Sequence, residues 1–306
     1  MSPAPEAGAL VGFLAASVRV ATPLLFAAIG ETVTERAGVI NLGLEGAMLA
    51  GALASALGAS GGPWAGVAAA ALAGSAVAAV FAAWVVGARV NQIIAGTAVT
   101  LACVGLTGTI YRQAYGAGGP GLSLPTLGPL PVPGLSRIPV LGPALFAQPA
   151  LTYLSLVLVP VVWWMLYRTR VGLALRAAGE ASDLARAAGV PVGRLRFWAT
   201  VFGGALAGLG GASLVLAQVG TFAEQMTAGR GYVAIAIVVL GRWHPAGVAL
   251  AALIFGAATA LQFLFQSLGL AVPYQFFLML PYVLTLVALA GAVGRVQAPA
   301  GLAKDE

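Results

Sequence analysis

RTRVGLALRAAGEASDLARAAGVPVGRLR, residues 168–196, is the one concentrated patch of charge in a chain that is otherwise strongly apolar. It carries six of the fifteen basic residues and lies between two long apolar segments. Cytoplasmic loops of membrane proteins are enriched in arginine and lysine within about 15–20 residues of their spans. We therefore expect this loop to face the cytoplasm and to fix the orientation of the other segments.

A short helix pattern lies inside this loop. It begins at Ser182 with the acidic residue Asp183 in its first turn and has Arg186 near its end. Gly189 and Pro191 are typical helix stop signals. Isolated helices shorter than roughly 12–15 residues are marginal in water. The element should therefore be braced by the flanking spans or by another protein, and we interpret it as a docking element.

The composition excludes an ordinary soluble domain. Of the 306 residues, 60% are hydrophobic and only 8% are charged, whereas about a quarter are charged in soluble domains. The net charge of +6 does not indicate nucleic acid as a partner, because the arginines lie at the ends of apolar runs and form no basic stripe with interleaved aromatics. We predict an all-α, multi-pass transmembrane helix bundle that forms a single domain over residues 1–306 and has the lipid bilayer as a partner.

Eight spans are predicted, and ten are possible if short broken or re-entrant segments are counted. The eight lie at about 8–30, 39–57, 64–87, 90–110, 150–167, 197–217, 246–268 and 274–293. The first should be retained, because the chain's start has no positively charged region and no clear cleavage site. The span at 197–217 contains Gly203-Gly204, Gly208 and Gly210-Gly211, which suits close helix packing.

Two further segments are expected not to cross the membrane. The Gly/Pro-rich loop 112–149 should be external, with a short re-entrant piece around Pro139 to Phe146. The apolar run 232–241 is too short to cross about 30 Å of hydrocarbon at roughly 1.5 Å per residue. We predict a half-helix there, continued by residues 241–245.

Polar groups interrupt the apolar pattern at two matching places. Asn41 and Glu45 lie four apart inside an apolar run, so a helix would put them on one face, towards the bundle interior or a water-filled path. A weak internal duplication places Thr-x-x-x-Gly at Thr34–Gly38 and again at Thr227–Gly231. Interrupted segments at matching places in two halves are the pattern that points to a transport pathway.

We assign ten polar side chains to a candidate translocation path: Glu31, Glu35, Asn41, Glu45, Asn91, Gln92, Gln218, Glu224, Arg230 and Tyr232. The alternative for each is a hydrogen bond between helices or solvation at the membrane surface. The acidic members are offset nearby only by Arg36 and Arg230. A phosphorylated or dicarboxylate cargo is therefore disfavoured, since moving it through a low-dielectric path requires compensating cations.

Several kinds of chemistry lack the residues they need. The only lysine is Lys304, so the chain has no phosphate loop for ATP, and energy must come from elsewhere. The single cysteine, Cys103, rules out an intrachain disulfide. With His244 as the only histidine, a metal site or a catalytic dyad has little support. We expect no catalytic residue, metal or cofactor in this chain, and expect Cys103 to be a buried core residue.

Five segments resemble the permease subunits of bacterial ABC importers, in the branch for simple sugars and nucleosides. That branch is related more distantly to the permeases for ribose and branched-chain amino acids. The resemblance covers most of residues 20–293 and rests on TERAGVINLGLEGAMLAGA (34–52), NQIIAGTAVTLACVGLTGTIYR (91–112), VGLALRAAGEASDLARAAGV (171–190), GGALAGLGGA (203–212) and MTAGRGYVAIAIVVLGRWHPAG (226–247).

The resemblance implies a heterodimer of two related permeases in the bacterial plasma (inner) membrane. It also implies two ATP-binding cassettes below the membrane and an external binding protein or lipoprotein. The family's cytoplasmic coupling segment matches Glu180, Ser182, Asp183, Leu184, Arg186, Ala188 and Gly189. Relatives often have Asn-Pro where this chain has Ala181-Ser182, so Ser182 is expected to supply the helix N-cap here.

The residues leave several functions open. The leading one is a passive gate for a neutral, hydroxylated solute such as a nucleoside, driven by partner ATPases. A simple-sugar or branched-chain amino-acid permease is the alternative within the same family. An ion-driven carrier would need paired ionisable groups inside the spans, and only Glu45 clearly lies in one. A membrane enzyme is disfavoured by the single histidine and lysine, and a purely structural subunit would show no transport defect when deleted.

Overall fold

The computed structural model describes residues 5–116, 123–139, 141–267 and 298–302, together with positions 279, 283 and 286. The helices of these ranges are α1 (Pro5–Arg36), α2 (Leu44–Gly58), α3 (Pro63–Ala82), α4 (Gln92–Tyr115), α5 (Leu141–Leu145), α6 (Ala150–Arg168), α7 (Arg170–Glu180), α8 (Ser182–Ala187), α9 (Val192–Leu214), α10 (Arg230–Leu240) and α11 (Pro245–Ser267). Two short antiparallel strands, β1 (Pro129–Pro131) and β2 (Ala147–Pro149), pair in the loop after α4.

Six of these helices are long and apolar enough to cross a membrane: α1, α3, α4, α6, α9 and α11. This confirms the predicted all-α, multi-pass bundle. Two shorter helices, α2 with 15 residues and α10 with 11, complete the apolar part of the described chain. The expected span 274–293 lies outside the continuous described ranges.

Helix α9 forms the centre of the bundle, as its glycines predicted. A Cβ on Gly30 of α1 would lie 2.7 Å from the carbonyl oxygen of Gly203, and one on Gly51 of α2 would lie 2.6 Å from that of Gly208. A Cβ on Gly74 of α3 would lie 2.8 Å from the Gly208 nitrogen. Three helices therefore approach α9 at backbone contact, which side chains of any size would prevent.

The first break in the bundle lies later than the sequence predicted. Helix α1 does not end near residue 30 but continues through the polar stretch to Arg36, because buried groups elsewhere in the fold bind its carboxylates. After Arg36 the chain turns at Gly38, whose φ of +95° favours glycine. Asn41 precedes α2, which begins at Leu44, so the expectation that Asn41 and Glu45 share one helical face is wrong.

The second break also differs from the prediction. Helix α10 begins at Arg230 and ends at Leu240, and residues 241–244 do not continue it. Arg242 and Trp243 have φ values of 56° and 52°, and this left-handed turn reverses the chain into α11. The half-helix is therefore correct, and its extension to residue 245 is wrong.

The charged loop and the external loop lie at opposite ends of the bundle. Arg196, at the start of α9, donates to the Ala37 carbonyl at 3.1 Å, so the end of α1 lies beside the charged loop. Gln148 of β2 donates to the Ala15 carbonyl at 3.2 Å, so the start of α1 lies beside the Gly/Pro-rich loop. The predicted cytoplasmic position of the charged loop would place the start of α1 outside and its end inside.

Candidate functional site

Glu45 joins the two breaks in the bundle. It lies in the first turn of α2 and is 7% exposed. Its Oε1 accepts from the Thr227 hydroxyl at 2.6 Å and the Gly229 N–H at 2.8 Å, and its Oε2 accepts from the Gly231 N–H at 2.6 Å. A carboxylate of one broken segment therefore caps the N-terminus of the other.

The electrostatics of this junction are favourable. The first N–H groups of a helix have no partner inside it and carry a partial positive charge, and here two such N-termini, of α2 and α10, lie around one carboxylate. Gly231 permits the contact, because a Cβ there would lie 2.6 Å from the Glu45 backbone. The negative charge of Glu45 is thus compensated by backbone dipoles and a hydroxyl.

The far end of α10 is held by residues of α1 and α6. There the Trp243 indole donates to Glu35 Oε2, while Arg36 donates from Nε to the Trp243 carbonyl at 3.1 Å and from Nη2 to the Tyr167 hydroxyl at 3.2 Å. Helix α10 spans 11 residues, or roughly 16 Å. Helix α10 thus separates Glu45 from the Trp243 turn by about half the thickness of a roughly 30 Å hydrocarbon layer.

The break between α1 and α2 leaves buried polar atoms short of hydrogen-bond partners. The Asn41 N–H donates to Glu31 Oε1 at 2.7 Å, and Asn41 Oδ1 accepts from the Gly43 N–H at 3.1 Å. Within the described part of the chain, Asn41 Nδ2 finds no hydrogen-bond partner, and the second carboxyl oxygens of Glu31 and Glu35 have no partner other than each other's carboxyl group. Buried groups of this kind are costly and mark a place that can take up a polar group or rearrange.

A second polar site lies on the outer half of the bundle. Arg112 of α4 forms an ion pair with both oxygens of Glu224 at 3.0 Å. Beside it, the ring of Tyr111 lies 5.1 Å from that of Phe222 and 5.5 Å from that of Tyr115. The site thus combines a neutralised ion pair with aromatic surface.

The expected partners of the acidic residues were wrong. Arg36 binds a carbonyl and a tyrosine, and Arg230 donates to the Met226 and Thr227 carbonyls. The compensating groups are instead backbone N–H groups and Arg112, which lies in an apolar span far from Glu224 in sequence. Among these groups Thr227 and Gly231 had a prior signal, as the first and last residues of the repeated Thr-x-x-x-Gly pattern.

Comparison with known proteins identifies the family. The sequence profile described as "Branched-chain amino acid transport system / permease component" matches residues 13–289. The chain belongs to this permease family.

Individual relatives support the assignment. The permease is 35% identical over 291 residues to the guanosine ABC transporter permease NupQ of Bacillus subtilis, with 91% of each chain covered. It is 34% identical to the nucleoside ABC transporter permease NupC of Lactococcus lactis, again with 91% of each covered. It is 42% identical over 265 residues to a putative glucose ABC transporter permease, TsgC13, of Haloferax volcanii, covering 85% of this chain and 79% of the relative. No solved structure matches it significantly.

The other assigned path residues of the permease are more scattered. Asn91 caps α4 by accepting from the Ile93 N–H at 3.0 Å, and Gln92 Oε1 accepts from the Ile40 N–H at 2.8 Å, which ties α4 to the first break. Gln218 donates to the Arg19 carbonyl near the outer end. Tyr232 is 42% exposed on α10. Of the four, Gln92 and Tyr232 lie on the broken segments or their direct partners.

The candidate coupling segment of the permease protrudes from the bundle. Leu184 is 74% exposed, and Arg186 pairs with Asp183 at 3.0 Å on the helix surface. Glu180 accepts from the Ala300 N–H at 3.2 Å, and Ala188 and Gly189 close the helix, Gly189 with φ +81°. The expected N-cap is wrong, because Ser182 is the first helical residue, while Ala181 occupies the cap and makes no side-chain bond.

This helix is braced from within the chain. Ala185 packs in a small apolar cluster with Ala178 of α7 and Val192 of α9. That contact explains how two turns of helix persist, since helices this short are unstable alone. It buries one face of α8 and leaves Leu184 on the other.

Proposed function

We propose that this chain is the membrane-spanning subunit of an ABC importer that carries a nucleoside into the cell. The assignment of a nucleoside as the cargo rests on the similarity to relatives named for guanosine and nucleosides, which extends over 91% of both chains. Because these alignments cover 91% of this chain, they include both breaks and therefore the proposed path. The Glu45 junction supports the transport role, because paired broken segments are typical of transport pathways.

The path in this proposal follows the non-helical segment 220–229 to the junction. Backbone that is neither helical nor paired is not tolerated against lipid and must line a water-filled cavity or contact protein. Glu224 and Ala228 are exposed in this segment. We therefore assign the segment to the path or to the facing subunit.

The charge balance of the path suits a neutral cargo. Glu45 is compensated by N–H groups and Glu224 by Arg112. Arg230 lies beside the junction and donates to the Met226 and Thr227 carbonyls, and no cluster of arginines or lysines for a phosphorylated cargo lies at these two sites within the described chain. The hydroxyls of a nucleoside fit such amide and hydroxyl surfaces, and its base fits the faces of Tyr111 and Tyr115.

Three kinds of partner complete the importer. ATP-binding subunits would dock on α8, with Leu184 in a groove and the Asp183–Arg186 pair at its rim. A second, related permease would close the path as a heterodimer, and an external binding protein or lipoprotein would deliver the cargo. The first is supported by the exposed position of Leu184 on a short helix that is held in place by the rest of the chain.

A simple sugar is the second candidate cargo. The relative from Haloferax volcanii is named for glucose and shares 42% identity over 85% of this chain. Sugars and nucleosides both present hydroxyls to a neutral path, so the permease geometry suits either. An uptake experiment separates them.

The test is uptake in a host that lacks its own nucleoside carriers. The chain is expressed with its partner permease, ATPase and binding protein, and labelled guanosine is competed with unlabelled guanosine, uridine, glucose or leucine. We expect guanosine and at least one other nucleoside to abolish uptake. The matched control replaces the ATPase's catalytic glutamate, which should also abolish it. Competition by glucose alone would establish the sugar alternative, and uptake with the inactive ATPase would contradict the ABC mechanism.

A further inference from the structure

A cavity of about 320 Å³ lies beside the coupling helix at the cytoplasmic end of the bundle. Three arginines contribute to its lining, Arg89, Arg186 and Arg196, together with Gln92 and Gly193. The remaining lining residues are valines, and none is acidic. The cavity is distinct from the Glu45 junction and from the exposed face of Leu184.

The three arginines come from three different elements. Arg196 of α9 is 8% exposed and is held by the carbonyls of Ala37 and Ala178 at 3.1 and 3.4 Å. Arg186 lies on α8. Arg89 lies in the connection between α3 and α4, with φ 56°, and makes no ion pair or hydrogen bond within the described residues. Guanidinium groups repel one another, so their convergence on one cavity favours an anion between them.

Backbone and amide donors point to the same ligand. Gly193 lies in the first turn of α9, a helix of 23 residues, and a Cβ there would meet only Val86, at 3.8 Å. The Val192 and Leu195 N–H groups already donate to the Val190 and Pro191 carbonyls, so the exposed Gly193 is the position where this helix N-terminus, which favours negative charge, faces the cavity. Gln92 is 93% buried on the cavity wall: its Oε1 is used by Ile40, and its Nε2 has no partner in the described chain. The polar residues that line the cavity are thus arginines and an amide, and the one carboxylate paired with them, that of Asp183, does not line it.

We propose that this cavity binds a phosphate-bearing anion. A phosphate offers several acceptor oxygens and up to two charges, which matches planar guanidinium groups, N–H donors and an amide better than a single carboxylate does. The valine walls suit an apolar portion next to the phosphate. A volume of about 320 Å³ is at the lower end of the roughly 300–1,000 Å³ of small-molecule pockets.

Two sources can supply this chemistry, the headgroup of an anionic phospholipid and a free phosphomonoester such as a nucleotide. In both cases the anion bridges Arg89 and Arg186. It therefore ties the coupling helix to the connection between α3 and α4. The inference does not depend on the identity of the cargo and goes beyond the proposed transport function.

Binding to the full-length chain tests the proposal. The chain is placed in nanodiscs of neutral phosphatidylcholine and titrated with inorganic phosphate, guanosine monophosphate and, as the uncharged control, guanosine. A second arm uses nanodiscs containing phosphatidylglycerol and measures retained lipid by native mass spectrometry. We expect one of the phosphate sources to bind and guanosine not to bind at this site.

Two matched variants locate the site. Arg89→Gln should weaken binding of the phosphate source at least tenfold, because it removes a cavity cation from an exposed connection and leaves the packed helices unchanged. Arg194→Gln removes an exposed arginine of the same helix turn that does not line the cavity, and should leave the affinity unchanged. Thermal unfolding confirms that both variants fold.

Three outcomes would overturn the proposal. The first is the absence of binding by either phosphate source to the native chain. In that case a side chain of the ATPase would be the alternative occupant of the cavity. The second is unchanged affinity in Arg89→Gln, and the third is equal weakening by both variants. None of these results bears on nucleoside uptake, so the proposed transport function stands or fails separately.

Discussion

At the scale of single residues, Glu45 matters because it accepts hydrogen bonds from groups up to 186 residues away along the chain. Hydrogen bonds to a charged group contribute roughly 1.5–3 kcal/mol each and are not additive. We expect Glu45→Leu to destabilise the permease by about 3 kcal/mol and to abolish transport, because three donors lose their acceptor. Thermal unfolding in detergent and uptake in cells measure the two effects.

Thr227→Val is the control for this change. It removes one of the three donors and keeps the carboxylate and both backbone contacts. Its loss of stability should be less than half that of Glu45→Leu. Equal losses would show that the hydroxyl, and not the carboxylate, holds the junction.

Trp243 gives a second residue-scale prediction. Its indole donates to Glu35, which is 1% exposed. Trp243→Phe leaves that buried carboxyl oxygen without a donor, at a cost of roughly 1–3 kcal/mol, and should lower the unfolding temperature. Trp198→Phe, at a site 66% exposed, is the control and should have little effect. A Trp243→Phe variant as stable as the native chain would refute the role of this bond.

At the scale of elements, the packing of α9 depends on glycine. A Cβ on Gly208 would lie 3.2 Å from the Gly74 backbone and would collide with the Ala70 carbonyl. Gly208→Ala should therefore separate α9 from α3, with a loss of about 1–3 kcal/mol or more. Gly105→Ala on α4 is the control, since a Cβ there meets nothing within 4 Å. The yield of folded protein and its unfolding temperature should fall for Gly208→Ala and stay near the native values for Gly105→Ala.

The coupling helix gives the second prediction at this scale. Leu184 is exposed in the isolated chain, so Leu184→Asp should leave folding unchanged. In the assembled importer it would bury an unpaired charge, which costs several kcal/mol. We expect transport and co-purification of the ATPase to be lost, and Leu184→Met to retain both. Normal capture of the ATPase by Leu184→Asp would contradict the docking role.

Some features of the helices could be predicted from local sequence patterns, and others could not. Apolar length predicted the long helices, and the glycines predicted the close packing of α9, because both depend on local composition. The extension of α1 to Arg36 was missed, since the donor to Glu35 Oε2, the Trp243 indole, lies 208 residues away. The same holds for Glu45, whose position four after Asn41 suggested a shared helix face, whereas its partners come from the second break.

At the scale of the whole molecule, we expect the chain to open at the two breaks. The non-helical segment 220–229 descends from the outer end to the junction with α2, and residues 223–225 and 228 within it are exposed. Because such backbone is not stable against lipid, water or a protein partner must cover it. If it lines the path, cysteines placed there should react with a polar thiol reagent.

We therefore predict that Ala228→Cys, in a Cys103→Ser background, reacts with a membrane-impermeant maleimide added from outside. Leu72→Cys is the matched control, because Leu72 is 71% exposed but lies on the apolar face of α3, where lipid excludes the reagent. Reaction at position 228 should be at least ten times faster and should slow when nucleoside and the binding protein are added. If both positions are equally inert in the assembled importer, the segment is covered by the partner permease and the path must lie elsewhere. If position 228 reacts but nucleoside gives no protection, the path assignment stands and the cargo assignment does not.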